Sequence, residues 1–435
     1  MRLEAKKGNI IRIKGPASVV LREGSVEYLG KTLREKERIS IPVGKVAFIN
    51  ILENSSLEVN LGEDAEIEVL EEIEDVTVPY HWRTLIEPLV SELKKKPTKI
   101  MILGDVGTGK NLLATYITNL AVKKGYTVAI LDKDVGQSSL SAPTTIGLVI
   151  TKKATTSLHK VKTHYAYFVG SISPGGFIHR ILVASAFLLE KAMSQNVDLI
   201  VVNTDGWIHG KEAREYKWSL IDIVRPDYII ALQSTRELEH ILRAYETQKW
   251  VEIIRLPSIK EAVSRDLTSR KIYRESAYKR KLAKSKIRTL SWSRVRFKGT
   301  IFGSGFKLDK DKINRLKALL KASIVYAEDA YDALLIVTNE KVRVPEEVLN
   351  TIKTEFSKND VLVVHKGYEK GLIVGLYDDQ GSFLDIGVIT EIDYKKELVR
   401  VLTNVEAEKI ALIYVGNLKL GGDLSEKTKI YGFPL

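Results

Sequence analysis

The chain has 435 residues, no cysteine, and 67 basic against 55 acidic residues, a formal net charge of +12. At roughly 100–200 residues per domain this length allows two to four domains, and the lack of cysteine excludes disulfide scaffolds, zinc ribbons, iron–sulfur clusters and thiol nucleophiles. The basic surplus favours a polyanionic partner.

A hydrophobic fraction of 44% with 28% charged residues is that of a globular chain. No apolar run reaches the roughly 18–20 residues that a bilayer span needs. The start, MRLEAKKGNIIRIKG, leads from basic residues into a strand pattern without the apolar core of a secretory leader. A cytoplasmic protein with no membrane contact is expected.

Over residues 1–80 the pattern is one of short strands. Ile10–Ile13, Ala17–Leu21, Ser25–Tyr28, Arg38–Ile41, Lys45–Ile51, Leu57–Leu61 and Ala65–Glu71 alternate or run apolar between Gly, Asn, Glu and Lys clusters. Turn signals every 8–12 residues or so predict a sandwich or small barrel. Trp82–Lys96 then has helical periodicity through Leu85, Leu89 and Leu93, and Pro97 is expected to end it.

From Thr98 the texture changes. Apolar runs at 99–103, 127–131, 165–169, 197–202, 228–232 and 251–256 alternate with helical patterns at Asn111–Lys124, Phe177–Gln195 and Ala213–Val224. Such alternation predicts an α/β unit with a parallel sheet covered on both faces. The stretch 265–288 is dense in Lys and Arg. Beyond it, VRFKGTIF, the helix Lys310–Lys321, ALLIVTN, DVLVVH, GLIVGLYD and LVRVLTN predict a mixed α/β domain. The whole reads as a multidomain α/β protein divided as 1–80, 81–288 and 289–435.

Residues 104–111, GDVGTGKN, follow an apolar strand and open a helix. Gly104, four residues, Gly109 and Lys110 have the spacing of a phosphate loop. Glycines there let backbone N–H groups converge on phosphate oxygens, the helix presents its positive end, and the lysine reaches the β- and γ-phosphates. Gly104, Asp105, Val106, Gly107, Thr108, Gly109, Lys110, Asn111 and Leu112 are therefore the expected nucleotide contacts. One position departs from the pattern: Ser or Thr normally follows the lysine and offers a hydroxyl to Mg²⁺, whereas this chain has Asn111. An amide oxygen can coordinate Mg²⁺ in its place, and Asn111→Ser is expected to raise activity or lower the Mg²⁺ requirement.

The next strand, expected beside the phosphate loop, ends in LDKDVGQSS, 131–139. Asp132 and Asp134, two apart, point the same way, where a carboxylate can hold Mg²⁺ or accept a proton from an attacking hydroxyl.

GxxxxGK, DxDxGQSS, YFVGSISPGG (167–176) and NTDGW (203–207) occur here in the order found in polynucleotide 5′-hydroxyl kinases. The chain resembles that family, which includes the RNA kinase of the pre-mRNA 3′-end cleavage machinery, the ribosomal-RNA-processing kinase and their archaeal relatives. The resemblance implies an N-terminal β-sandwich, a central P-loop kinase domain, and ATP and Mg²⁺ as cofactors. It implies that Lys110 and the backbone of Gly107–Asn111 cradle the ATP phosphates. Asp134 would be the catalytic carboxylate near the metal, with Asn111 as the other metal contact, Gln137 close by and Asp132 as helper. Thr204, Gly206 and Trp207 match a clasp on the nucleic-acid end, where a tryptophan stacks on any base. By residue type alone Trp207 suits a buried core equally well; the surrounding NTDGW decides.

The basic segment resembles the family's lid, with Arg265, Arg270 and Arg274 as phosphate-binding guanidinium groups. By itself, a charge run is ordinarily a solvated helix face. The function implied is phosphorylation of the 5′-OH end of RNA, DNA or both. Such ends arise from RNA cleavage that leaves a 2′,3′-cyclic phosphate, so RNA processing, with protein partners, is the implied setting. A nucleotide-bound, catalytically weak scaffold of an RNA-processing complex is the alternative that Asn111 keeps open. A partitioning-type ATPase or GTPase switch leaves NTDGW unexplained.

Overall fold

The computed structural model describes residues 1–435 except 44, 72–79, 94, 259–266 and 431–434. The chain divides into two compact units. One comprises Met1–Ser141, Ile146–Tyr167 and Ser173–Arg270, the other Ala142–Thr145, Phe168–Ile172 and Lys271–Leu435.

The first unit begins with nine strands: β1 (Arg2–Ala5), β2 (Ile10–Lys14), β3 (Ala17–Glu23), β4 (Val26–Tyr28), β5 (Lys31–Thr32), β6 (Arg38–Ile41), β7 (Val46–Ile51), β8 (Ser55–Leu61) and β9 (Glu66–Leu70). They form two sheets, ordered β1-β8-β3-β6 and β5-β4-β7-β2-β9. The period-two pattern explains them: Ala47, Ile49 and Ile51 alternate into one apolar core shared with Ile11, Ile13, Leu21, Ile39 and Val59. The seven expected strands are present within two residues at each end. The two unforeseen ones, β1 and β5, are short, and pairing with β8 and β4 forms them rather than any run of their own.

Helix α1 (Tyr80–Ser91) buries Trp82, Ile86 and Val90 in the core of the α/β region, and the Trp82 indole donates to the Pro257 carbonyl at 3.0 Å. It stops at Ser91, short of the expected Lys96. Then follow β10 (Thr98–Gly104), α2 (Lys110–Lys123), β11 (Val128–Asp132), β12 (Thr145–Thr151), β13 (Tyr165–Phe168), α3 (Ile178–Met193), β14 (Leu199–Asn203), α4 (Lys211–Val224), β15 (Tyr228–Gln233), the single turn α5 (Glu239–Leu242) and β16 (Glu252–Pro257). The sheet runs β13-β12-β11-β14-β10-β15-β16. From β11 to β16 the neighbours are parallel, and the strands β10, β11, β14 and β15 are apolar because both faces are covered. One correction follows. The expected all-parallel sheet includes β12, which pairs antiparallel with β11. TIGLVIT is a continuous apolar run, and the tight return from β11 that reverses its direction is set by the polar contacts of residues 132–141.

Helix α6 (Leu267–Leu282) spans the boundary of the two units. The second unit contains β17 (Lys286–Ser291), β18 (Arg296–Lys298), β19 (Phe306–Lys307), α7 (Lys310–Leu320), β20 (Ile324–Ala330), β21 (Ala333–Thr338), α8 (Glu346–Phe356), β22 (Asp360–His365), β23 (Leu372–Tyr377), β24 (Phe383–Asp393), β25 (Leu398–Thr403), β26 (Leu412–Leu420) and β27 (Glu426–Lys429). One sheet is ordered β17-β25-β24-β23-β26-β18, with β27 on β26, and another β19-β20-β21-β22. The expected strand over VRFKGTIF is only β18, because Gly299 and Gly303 turn the chain with φ of 77° and 76°.

Candidate functional site: a phosphate loop between two carboxylates and a tryptophan

Three strand ends of the first unit, those of β10, β11 and β14, build the site. In the register of the sheet, Asn203 of β14 stands opposite Ile102 of β10 on one side and Asp132 of β11 on the other. The carboxylate strand is thus not the direct neighbour of the phosphate-loop strand: β14 lies between them, and its last residue bridges the two.

The loop after β10 has the backbone that the glycines predict. Gly107 and Gly109 lie at φ 86° and 98°, the left-handed region that is strained for other residues. Gly109 immediately precedes α2 without any side-chain cap. The uncapped N–H groups of the first helical turn are left for an anion. Lys110 is 8% exposed, and its Nζ donates to the carbonyls of Gly104 at 2.9 Å and Asp105 at 2.6 Å. Burial lowers its pKa to about 8, against the opposing pull of Asp134. Val106 is exposed on the loop, while Thr108 is buried and its hydroxyl donates to the Asp105 carbonyl; Leu112 is half-buried on α2.

Asp132 is fully buried. It accepts hydrogen bonds from the Ser138 hydroxyl (3.1 Å), the Ser139 N–H (2.5 Å) and Asn203 Nδ2 (3.0 Å). Burial raises its pKa to about 6, helped by the nearby charge of Asp134. Asp134 is half-buried and accepts from the N–H groups of Gly136 (3.0 Å) and Gln137 (2.8 Å). Its pKa is also raised, by burial, although these hydrogen bonds oppose the shift. Asn111 joins the carboxylate side: its Nδ2 donates to Ser139 Oγ at 2.7 Å and its Oδ1 accepts from Asn203 Nδ2 at 2.6 Å.

The segment after β14 returns against the phosphate loop. The buried Thr204 hydroxyl donates to the Ile102 carbonyl at 2.7 Å. Gly206 is packed so closely that a Cβ there would lie 2.7 Å from the Val106 nitrogen. His209 Nε2 lies 2.9 Å from Asp105 Oδ2. Trp207 is half-buried and stacks on Tyr216, with centroids 6.0 Å apart and planes at 28°. Asp205 supports it from below, accepting from the Trp207 N–H (3.0 Å), the Tyr216 hydroxyl (2.6 Å) and Lys217 Nζ (2.9 Å). Burial pushes the Asp205 pKa up, but the Lys217 charge and these bonds outweigh it and the net shift is downward.

Arg265 falls outside the described residues, and Arg270 is half-exposed on α6. Within the second unit, Arg274 makes a two-pronged ion pair with Glu426, at 2.6 and 2.7 Å, both side chains largely buried. Tyr278, on the same helix, is fully buried in a core with Phe168 and Ile373. Helix α6, in the stretch expected as the basic lid, therefore buries Tyr278 and Leu282 and is not a helix solvated all round.

Asn203, Ser139, Asp205, Tyr216 and Lys217 were not singled out from the sequence. Three of them sit inside the quoted motifs, Ser139 in DxDxGQSS and Asn203 and Asp205 in NTDGW, which was the available signal. Tyr216 and Lys217 carried none.

A metal held on its own protein ligands is not built here: among the described residues no three His, Cys, Asp or Glu side chains converge as one. A Mg²⁺ carried on nucleotide phosphates needs only one or two carboxylates and neutral oxygens. Asp132, Asp134, Asn111, Asn203 and Ser139 are such hard donors, and Asn203 Oδ1 is a buried acceptor without a partner. The set fits Mg²⁺ and not a soft metal.

This sheet order, loop and helix start define a P-loop NTPase-like α/β protein with a nucleotide-binding site. Residues 104–282 match the family model described as mRNA cleavage and polyadenylation factor CLP1 P-loop. The polyribonucleotide 5′-hydroxyl-kinase of Methanocaldococcus jannaschii is 32% identical over 316 residues, 73% of this chain and 84% of that protein. Its namesake from Pyrococcus furiosus is 30% identical over 335 residues, 76% and 90% of the two chains. The chain belongs to this family of polyribonucleotide 5′-hydroxyl-kinases and CLP1 proteins. A solved Clp1p chain, from a complex of Clp1p with Pcf11p, has the same fold over 96% of this chain and 97% of its own, with a TM-score of 0.65 at 12% identity.

Proposed function

We propose that this chain transfers the γ-phosphoryl group of ATP to the 5′-hydroxyl end of RNA, and of DNA offering the same end, with Mg²⁺ as cofactor. The observation that carries this reading is the Asn111–Asn203–Asp132 chain of hydrogen bonds, which ties the phosphate loop of Lys110 to the carboxylate segment of Asp134. Lys110 meets the phosphates of the donor and Asp134 meets the acceptor hydroxyl.

Gly107, Gly109 and the first turn of α2 bind the phosphates through backbone N–H groups, and Lys110 turns from its carbonyl partners to the β- and γ-oxygens. The 5′-oxygen attacks the γ-phosphorus, the bond to the β,γ-bridging oxygen breaks, and ADP leaves. The hydroxyl proton passes to the Asp134 carboxylate, whose raised pKa brings it closer to the value that proton acceptance near neutral pH favours. Mg²⁺, when bound, neutralises developing charge on the phosphates. Asp132, Asp134 and Asn111 are the residues to hold it, Asn111 by releasing Asn203. Gln137 and Asp132 steady the acceptor end, while Thr204, Gly206 and Trp207 form its clasp, Trp207 stacking on the terminal base.

Arg265, Arg270 and Arg274 complete the reading as lid contacts to phosphate. For Arg274 this requires a phosphate to take the place of Glu426. The two N-terminal sheets are read as a β-sandwich over 1–80, followed by the kinase domain 81–288 and a mixed α/β domain 289–435. The setting is cytoplasmic RNA processing, with protein partners of that machinery; among the described residues no helix is long and apolar enough to cross a membrane.

The test is transfer of label from γ-labelled ATP to a 5′-OH oligoribonucleotide. Lys110→Ala and Asp134→Ala are each expected to lower the rate by on the order of 10²-fold or more. Transfer surviving in Asp134→Ala would remove that residue's role, and ATP hydrolysis indifferent to the oligonucleotide would overturn the polynucleotide assignment.

A further inference from the structure

The residue after the phosphate-loop lysine ordinarily offers a hydroxyl to the metal, and Asn111 has none. Its amide is also occupied. Oδ1 accepts from Asn203 Nδ2 at 2.6 Å, and Nδ2, which cannot ligate a cation, donates to Ser139 Oγ at 2.7 Å. An asparagine side chain reaches farther than a serine, and here that reach ends on another hydroxyl. We propose that Ser139 supplies, through Oγ, the neutral hydroxyl ligand to nucleotide-bound Mg²⁺ that position 111 lacks. This rests on the Mg²⁺·ATP reading given above.

Three observations support it. Ser139 is fixed: it is 5% exposed, and its N–H is held by Asp132 Oδ2 at 2.5 Å. Its oxygen has two lone pairs, and the bond from Asn111 uses one. Beside it, Asn203 is fully buried and its Oδ1 has no hydrogen-bond partner. A buried acceptor left unpaired is destabilising by about 1–3 kcal/mol unless something arrives to pair it, and a cation with its ordered water does so. On this assignment Asn111 braces the ligand, in place of the direct metal contact given to it above.

The experiment measures Mn²⁺ affinity in the presence of ADP, by calorimetry and electron paramagnetic resonance, which needs no turnover. Ser139→Ala is expected to weaken Mn²⁺ binding to the ADP complex by on the order of 10-fold, with metal-free ADP affinity unchanged. Asn111→Ser in the Ser139→Ala background is expected to restore it, because the hydroxyl returns at the ordinary position. Ser139→Cys provides a second arm that keeps the side chain's shape. The thiol should weaken Mg²⁺ and strengthen Cd²⁺ binding relative to wild type, since soft metals prefer sulfur, and the cysteine-free chain leaves no other thiol to report. Wild-type Mn²⁺ affinity in Ser139→Ala, or no Cd²⁺ gain in Ser139→Cys, overturns the assignment of Ser139 and leaves the kinase reading standing. ADP binding indifferent to metal in the wild type overturns the Mg²⁺ reading and this inference with it.

Discussion

On one side of Thr204, the cluster of Asp132, Asn203, Asn111 and Ser139 is joined by amides, hydroxyls and one carboxylate that burial drives toward its neutral form. On the other side, Asp205, Tyr216 and Lys217 form a buried ion pair in which Asp205 is held charged. Both meet at the end of β14 and the carboxylate of each is buried, yet one has no fixed cation and the other has its own. A carboxylate without a fixed partner can take up a metal or a proton as the reaction demands. A carboxylate already saturated by a lysine and a tyrosine does neither; it holds geometry, here the backbone and ring of Trp207. Lys133 touches both: its N–H donates to the Asn203 carbonyl at 3.0 Å and its Nζ lies 5.7 Å from the centre of the Tyr216 ring. It is fully buried, its Nζ has no hydrogen-bond partner, and burial pushes its pKa well below that of an ordinary lysine.

The contrast can be broken most forcefully at Asp205. Asp205→Ala leaves Lys217 buried with only a backbone carbonyl, and is expected to destabilise by about 3–5 kcal/mol, read as a fall in Tm. An unchanged Tm would mean that the ion pair is not structural. Asp132 sharpens the other half through pH. Its folded pKa of about 6 exceeds the unfolded value of roughly 3.9, so its favourable contribution is complete below about pH 4 and is lost as pH rises through about 6. Asp132→Asn has no such loss. The Tm difference, variant minus wild type, should therefore climb between about pH 4 and pH 6, by roughly 3 kcal/mol at most, and level off above; a flat difference would deny the shift.

Trp207→Ala is expected to raise the KM for a 5′-OH oligonucleotide by roughly 10-fold, the worth of about 1–3 kcal/mol of base stacking, with the KM for ATP unchanged. Equal effects on both substrates would make Trp207 a structural residue. The smallest change is Lys133→Met. Replacing a buried amine that has no hydrogen bond by an apolar chain of similar length is expected to leave stability unchanged or raise it by about 1 kcal/mol. A clear loss of stability would show that Lys133 has a partner in solution.

The motifs were legible because their chemistry is local. GDVGTGKN sets its own backbone through Gly107 and Gly109, and the apolar runs of β10, β11, β14 and β15 are readable because both faces of a central sheet are covered. What was not legible depends on strand order. Asp132 was expected beside the phosphate loop, whereas β14 intervenes and places Asn203 there. β12 is absent from the expected runs, and the apolar sequence TIGLVIT carries no sign of its antiparallel direction. The basic stretch on α6 was read by composition, and its composition does not reveal that Glu426, more than 150 residues later, pairs with Arg274.

By itself the sequence determined the phosphate loop, the two carboxylates after β11, the tryptophan after β14 and hence the family, since each is a short segment whose spacing and flanking strand are enough. Only the tertiary structure decided how these segments work together: that Asn111 points to Ser139, that Asn203 bridges loop and carboxylate, and that Asp205 pairs with Lys217. The physical reason is that hydrogen bonds and buried charges act over about 3 Å, and which groups come within that distance is settled by the order of strands in the sheet.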